Sequence, residues 1–158
     1  MSIEYRILVA IDLETGTDRL LAEVQRYSKA LDAIVDIIHV APHDPDFVGY
    51  IKSDDPKEQT QEDIIRKSKA EDLQTEYRKT QTIRASLQAK GVRVGQALTV
   101  QGPIFETILV RVRKLNSDLL ILGSHQHSAI YRLWYGDTAI NAVKKHTPWA
   151  LLVVPVTS

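Results

Sequence analysis

Hydrophobic residues along this chain follow two alternating rhythms: short β-branched runs, and longer stretches in which apolar positions return every three or four residues. Ile7-Leu8-Val9-Ala10-Ile11 is the first run, and it stops at Asp12. Leu20, Val24, Tyr27 and Leu31 then recur at helical spacing. Ile34, Val35, Ile37, Ile38 and Val40 predict a second strand over Ala33 to Val40. A polar stretch from Ala41 to about Asp63 leads into a long polar helix, Asp63 to Lys90, apolar at Ile65, Leu73, Tyr77, Ile83 and Leu87. Gly91 stands where a helix C-terminal cap belongs, because glycine enters the left-handed region without a Cβ penalty.

Val92, Val94, Leu98 and Val100 alternate as a third strand should. Gly102-Pro103 is expected to open the next helix, with Pro103 at its first position and a buried stripe of Phe105, Ile108, Leu109 and Val112. A strand over 118–122, a helix over about 137–146 stopped near Pro148, and a strand over 150–155 complete the order. Five strands thus alternate with four helices. Parallel neighbours need a crossover, and right-handed crossovers put helices on both faces, so the expected fold is one doubly wound α/β domain over residues 1–158. Ligands of such sheets bind beyond the carboxyl ends of the strands, where the winding reverses. Asp12, Val40 with Ala41, and Gly123 to His127 fall there.

Charge removes several function classes. Lys+Arg and Asp+Glu both total 20, so no global field draws nucleic acid or an anionic membrane. No cysteine is present, which excludes thiol catalysis, disulfides and thiolate metal sites. The start, MSIEYRILVAID, lacks a signal-peptide pattern and no apolar run reaches spanning length, so a cytoplasmic protein with no membrane partner is expected. Between Asp44 and Asp63 seven acids face only Lys52 and Lys57, a net charge of minus five. With three prolines between 42 and 56, residues 43–63 read as an exposed, flexible acidic loop within the domain.

Segment 119–139, LLILGSHQHSAIYRLWYGDTA, runs from a buried strand through a glycine loop to a helix start. Glycine lets backbone N–H groups approach an anion, and a helix N-terminus adds unpaired donors and partial positive charge. Together with VAID at 9–12, IIHVA at 37–41, VQGPIFETI at 100–108 and the closing ALLVVPV, it resembles the universal stress protein family over nearly the whole chain. Nucleotide-binding members of that family carry Gly, two residues, Gly, nine residues, Gly, then Ser or Thr. The matching positions here are Gly123, Gln126, Gly136 and Asp137, so the frame is kept with two of the signature residues changed.

The resemblance implies a sheet ordered 3-2-1-4-5 and a homodimer. It implies an ATP, ADP or AMP site, with magnesium, in which Asp12 lies near the ribose and adenine and the Val40 backbone meets the adenine ring. Gly123, His125 and Gln126 would run along the phosphates, with Gly136, Asp137 and Thr138 facing them from the helix start. His127 often corresponds to a basic residue in relatives, and a neutral imidazole is a weaker phosphate partner. Gln126 adds a side chain where close approach is wanted. Asp137 does more damage, because an N-cap carboxylate takes the N–H groups that a phosphate needs. Unit like charges at 4 Å also repel by about 4 kcal/mol at an effective dielectric near 20. Magnesium bridging Asp137 and phosphate would reverse that sign.

Structural roles compete with these functional ones. Asp12 can simply turn the chain, and Gly123 and Gly136 can shape a loop that binds nothing. His39, His43, His125 and His127 gather at one sheet edge, yet without cysteine or a recognised ligand spacing no metal site is expected. Nucleophilic catalysis finds no Gly-x-Ser-x-Gly elbow, and no Walker or dinucleotide glycine motif occurs. The function expected is therefore a dimeric stress-response regulatory protein with a degenerate, weak or absent adenine-nucleotide site. The alternative is an ATP-binding member that senses nucleotide or hydrolyses it slowly. Dimerisation is expected through the last strand, since Ala150-Leu151-Leu152-Val153-Val154 is apolar for an edge and needs covering.

Overall fold

The computed structural model describes residues 3–13, 17–42, 56–124 and 148–155. In chain order the elements are β1 (Arg6–Ile11), α1 (Thr17–Ala30), β2 (Ile34–Pro42), α2 (Pro56–Ala89), β3 (Arg93–Gly102), α3 (Ile104–Lys114), β4 (Leu119–Ser124) and β5 (Ala150–Pro155). All four strand pairings are parallel, and the sheet order is β3-β2-β1-β4-β5. The expected doubly wound α/β architecture is present, with three helices among the described residues. A fourth, expected over 137–146, lies outside them.

Strand alternation sorts the core into two layers. Ile7, Val9 and Ile11 of β1 pack with Leu20, Leu21 and Val24 of α1 and Leu87 of α2 on one face. Leu8 and Ala10 pack with Ile108 and Val112 of α3 on the other. Because β1 is central it is covered twice, which explains an unbroken apolar run where a half-buried strand would alternate. Each fully buried Leu, Ile or Val contributes roughly 1.5–3 kcal/mol relative to exposure.

Each described helix stops in the same way. The N–H of Val92 reaches the carbonyl of Leu87 at 3.0 Å and that of Gly91 reaches Gln88 at 3.0 Å, with Gly91 at φ +85°. Asp32 (φ 49°) and Asn116 (φ 51°) hold the equivalent position after α1 and α3, with Ala33 N–H on Ser28 and Ser117 N–H on Val112. These paired bonds satisfy helix carbonyls and turn the chain straight into the following strand.

Some boundaries differ from the sequence reading. α2 begins at Pro56, about two turns before Asp63, so the end of the 43–63 stretch is helical; proline at a first helical position sacrifices no bond, and the acids that follow suit a helix N-terminus. Residues 43–55 lie outside the described set. Pro103 is the N-cap of α3, extended at φ −60° and ψ 127°, and the first helical residue is Ile104. Leu31 falls past the end of α1 and is exposed, while Leu21 supplies the buried contact. Tyr77 points outward, and Thr80 is the fully buried α2 residue one turn on. Its hydroxyl donates to the Glu76 carbonyl at 2.9 Å and accepts from the Thr99 hydroxyl of β3 at 3.2 Å, so a polar residue serves as the helix–sheet contact.

Among the described residues, one charge is fully buried. Asp36 of β2 accepts the Arg6 guanidinium through three contacts of 2.8–3.1 Å and the Gln96 N–H at 2.8 Å. The β2–β3 register shifts there, so that Val35 faces Val94 and Ile37 faces Ala97. Two residues of β3 thus oppose Asp36 alone, and the bulge turns an unpaired N–H toward its carboxylate.

Candidate functional site

The crossovers define where a ligand can sit. β1 connects through α1 to β2 on one side, while its other neighbour, β4, leads to β5 in the opposite direction. The winding therefore reverses between β1 and β4, and ligands of such sheets bind beyond the carboxyl ends of the strands at that point. Ile11 is level with His39, so Asp12 and Val40 are the next positions up on adjacent strands. Ala10 is level with Leu122, which brings Gly123 to the height of Ile11. Asp12, Val40 and Gly123, separated by more than a hundred residues in sequence, are thereby assembled along one edge.

Their settings differ. Asp12 is half-buried and is followed by Leu13 at φ +64°, so the chain turns sharply out of β1 at this point. Val40 is 6% exposed and packs in the α3-side core, level with Val100 of β3. Its side chain belongs to the core. Gly123 is half-buried and level with Val154 of β5. His125, Gln126, His127, Gly136, Asp137 and Thr138 lie outside the described residues.

His39 is a structural member of this edge. Its Nδ1–H donates to the Ile11 carbonyl at 2.9 Å, and its Nε2 lies 3.4 Å from the Glu76 carboxylate of α2. The imidazole is 6% exposed. Glu76 could not be found from sequence, because a polar helix gives no sign of which face meets the sheet. Among the described residues no group of three or more His, Cys, Asp or Glu side chains could hold a metal ion. His43, His125 and His127 lie outside that set. No described helix is long and apolar enough to cross a membrane.

A parallel sheet of this order, with its reversal between β1 and β4, defines a doubly wound α/β protein. The chain matches the Universal stress protein family over residues 5–155, and it belongs to that family. No curated protein matches the sequence.

Solved structures show the same fold at low identity. Hypothetical protein MJ0577 is 20% identical, with a TM-score of 0.68 and 99% of both chains covered. A universal stress protein in complex with cAMP is 15% identical, with a TM-score of 0.61, covering 99% of this chain and 100% of that one. A universal stress protein from Archaeoglobus fulgidus DSM 4304 is 18% identical, with a TM-score of 0.58; 97% of this chain is covered, and it spans 44% of that longer one.

Proposed function

We propose that this chain is a stress-response regulatory protein, acting as a homodimer, whose adenine-nucleotide site has lost most of its affinity. The observation that carries this reading is a mismatch between two halves of one site. Asp12, Val40 and Gly123 stand together at the sheet edge, where a ribose and a purine would rest. The phosphate half carries Gln126 and Asp137 in place of a glycine and a hydroxyl. A family member in complex with cAMP supports an adenine nucleotide as the ligand class.

Calorimetric titration with ATP, ADP and AMP, each with and without magnesium, tests the proposal. Without metal, dissociation constants weaker than about 100 μM are expected, corresponding to less than about 5.5 kcal/mol of binding. Tight binding that appears only with magnesium would favour the alternative, an ATP-binding sensor or slow ATPase in which Asp137 shares the cation with phosphate.

The dimer is proposed to form through β5. This edge strand pairs only with β4 among the described strands, and Leu151, Leu152 and Val153 remain partly exposed along it. The opposite edge, β3, carries Arg93, Gln96, Thr99 and Gln101 and is the more water-compatible of the two. An apolar edge with open backbone groups is the one that needs covering.

A further inference from the structure

A groove of about 520 Å³ runs between α1 and α2. This is within the range of about 300–1,000 Å³ found for small-molecule sites. Leu13, Leu21 and Ile83 line it with apolar surface, and Arg78 and Lys79 stand on its α2 wall. Helical geometry explains the wall, because positions 75, 78, 79, 82, 83 and 86 recur at three- and four-residue steps and so share one face. Asp12, Val40 and Gly123 are not among its lining residues.

The charges of the groove are unevenly matched. Arg78 and Lys79 are exposed, and no carboxylate of a described residue lies within ion-pair distance of either. Asp18, in the first turn of α1, is the acid on the opposing wall. Thr82 already donates its hydroxyl proton to the Arg78 carbonyl at 3.0 Å, and Thr75 donates to Glu71 at 2.9 Å. Those threonines therefore have no proton to offer an anion. The two cations supply the positive charge for an anionic group, while the apolar lining favours a hydrophobic body.

We propose that this groove is a second binding site, separate from the nucleotide site, for a small organic anion with an apolar body and a single negative charge. Arg78 and Lys79 hold the anionic group, and Leu13, Leu21 and Ile83 receive the body. Asp18 sets the charge limit, since a dianion would be repelled from the α1 wall.

Naphthalene-2-sulfonate is a suitable probe, followed in the full chain by methyl NMR. Shifts are expected at Leu13, Leu21 and Ile83, with binding saturating at millimolar concentration or below. Arg78→Gln and Lys79→Gln should each weaken binding by about threefold, and Asp18→Asn should strengthen it by a similar factor, the scale of one exposed charge pair. All three positions are on the surface, and unchanged circular dichroism will show that the variants fold. ATP should leave the probe's shifts in place, which separates this site from the nucleotide site whether or not nucleotide binds there. Absence of binding, shifts centred on other methyl groups, or affinities indifferent to the three substitutions would overturn the assignment.

Discussion

The imidazole of His39 holds the main chain of Ile11, with Nδ1 donating to the carbonyl at 2.9 Å from inside the α2-covered layer. Ile11 is the last residue of β1 and Asp12 follows it, so this bond fixes the strand end from which the candidate site begins. The far side of the ring meets Glu76 at 3.4 Å, linking the sheet edge to α2. His39→Ala should destabilise the fold by roughly 2–4 kcal/mol, combining a lost hydrogen bond with a buried cavity. Glu76→Gln should cost less than about 1 kcal/mol, because that carboxylate is partly hydrated. Urea denaturation of both variants checks the pair. Equal losses would mean that the Glu76 contact, rather than the carbonyl contact, fixes the ring.

Gly95 is required by the buried Asp36 carboxylate. A Cβ at this position would lie 2.5 Å from Asp36 Oδ1 and 3.1 Å from the Arg6 guanidinium. Gly95→Ala should therefore destabilise by about 1–3 kcal/mol through overpacking, with the bulge unable to relax past the ion pair. Asp36→Asn should be at least as harmful, because it strips the partner from Arg6 and leaves the Gln96 N–H dependent on an amide oxygen. Thermal unfolding that leaves Gly95→Ala level with wild type would contradict this packing.

The three helix ends make a graded test of left-handed backbone strain. Gly91→Ala places a Cβ at φ +85° and should cost about 1 kcal/mol. Asn116→Gly removes a Cβ at φ 51° and should be neutral or stabilising by up to about 1 kcal/mol. Opposite signs at equivalent positions, read from denaturation midpoints, are the expected outcome.

Much of the architecture was legible in the sequence because burial on both faces of β1, β2 and β4 leaves an unmistakable signal. An unbroken apolar run such as Ile7 to Ile11 does not persist in a solvated loop, and Gly91 announces its own turn. Helix faces were harder to read. Thr80 replaces an apolar residue at a fully buried position by satisfying its hydroxyl within the helix and on Thr99, and no hydrophobic period reports that. Tyr77 shows the converse, an apolar residue left outside. Asp12, Val40 and Gly123 could be placed at strand ends from sequence, but their relative heights, within one residue of each other, came from the register, which depends on long-range pairing. Gln126 and Asp137 lie outside the described residues.

Dimerisation through β5 makes a direct demand on Val153. This half-buried residue is level with Leu122 of β4 and lies mid-strand on the proposed interface. Val153→Lys should shift the protein toward monomer in light scattering while largely preserving its circular dichroism. A wild type that is monomeric at micromolar concentration, or a variant that stays dimeric, would place the interface elsewhere.

Asp137 is the position on which the functional proposal turns, and calorimetric titration of ATP without metal into wild type and Asp137→Ser tests it most directly. Replacing the carboxylate by a hydroxyl removes a like charge from the position that the family resemblance assigns to the phosphate half of the site. The variant is expected to bind about tenfold more tightly or better, a gain of at least about 1.4 kcal/mol, with Gln126→Gly adding less. Tight metal-free binding by the wild type, or no gain on substitution, would contradict the account.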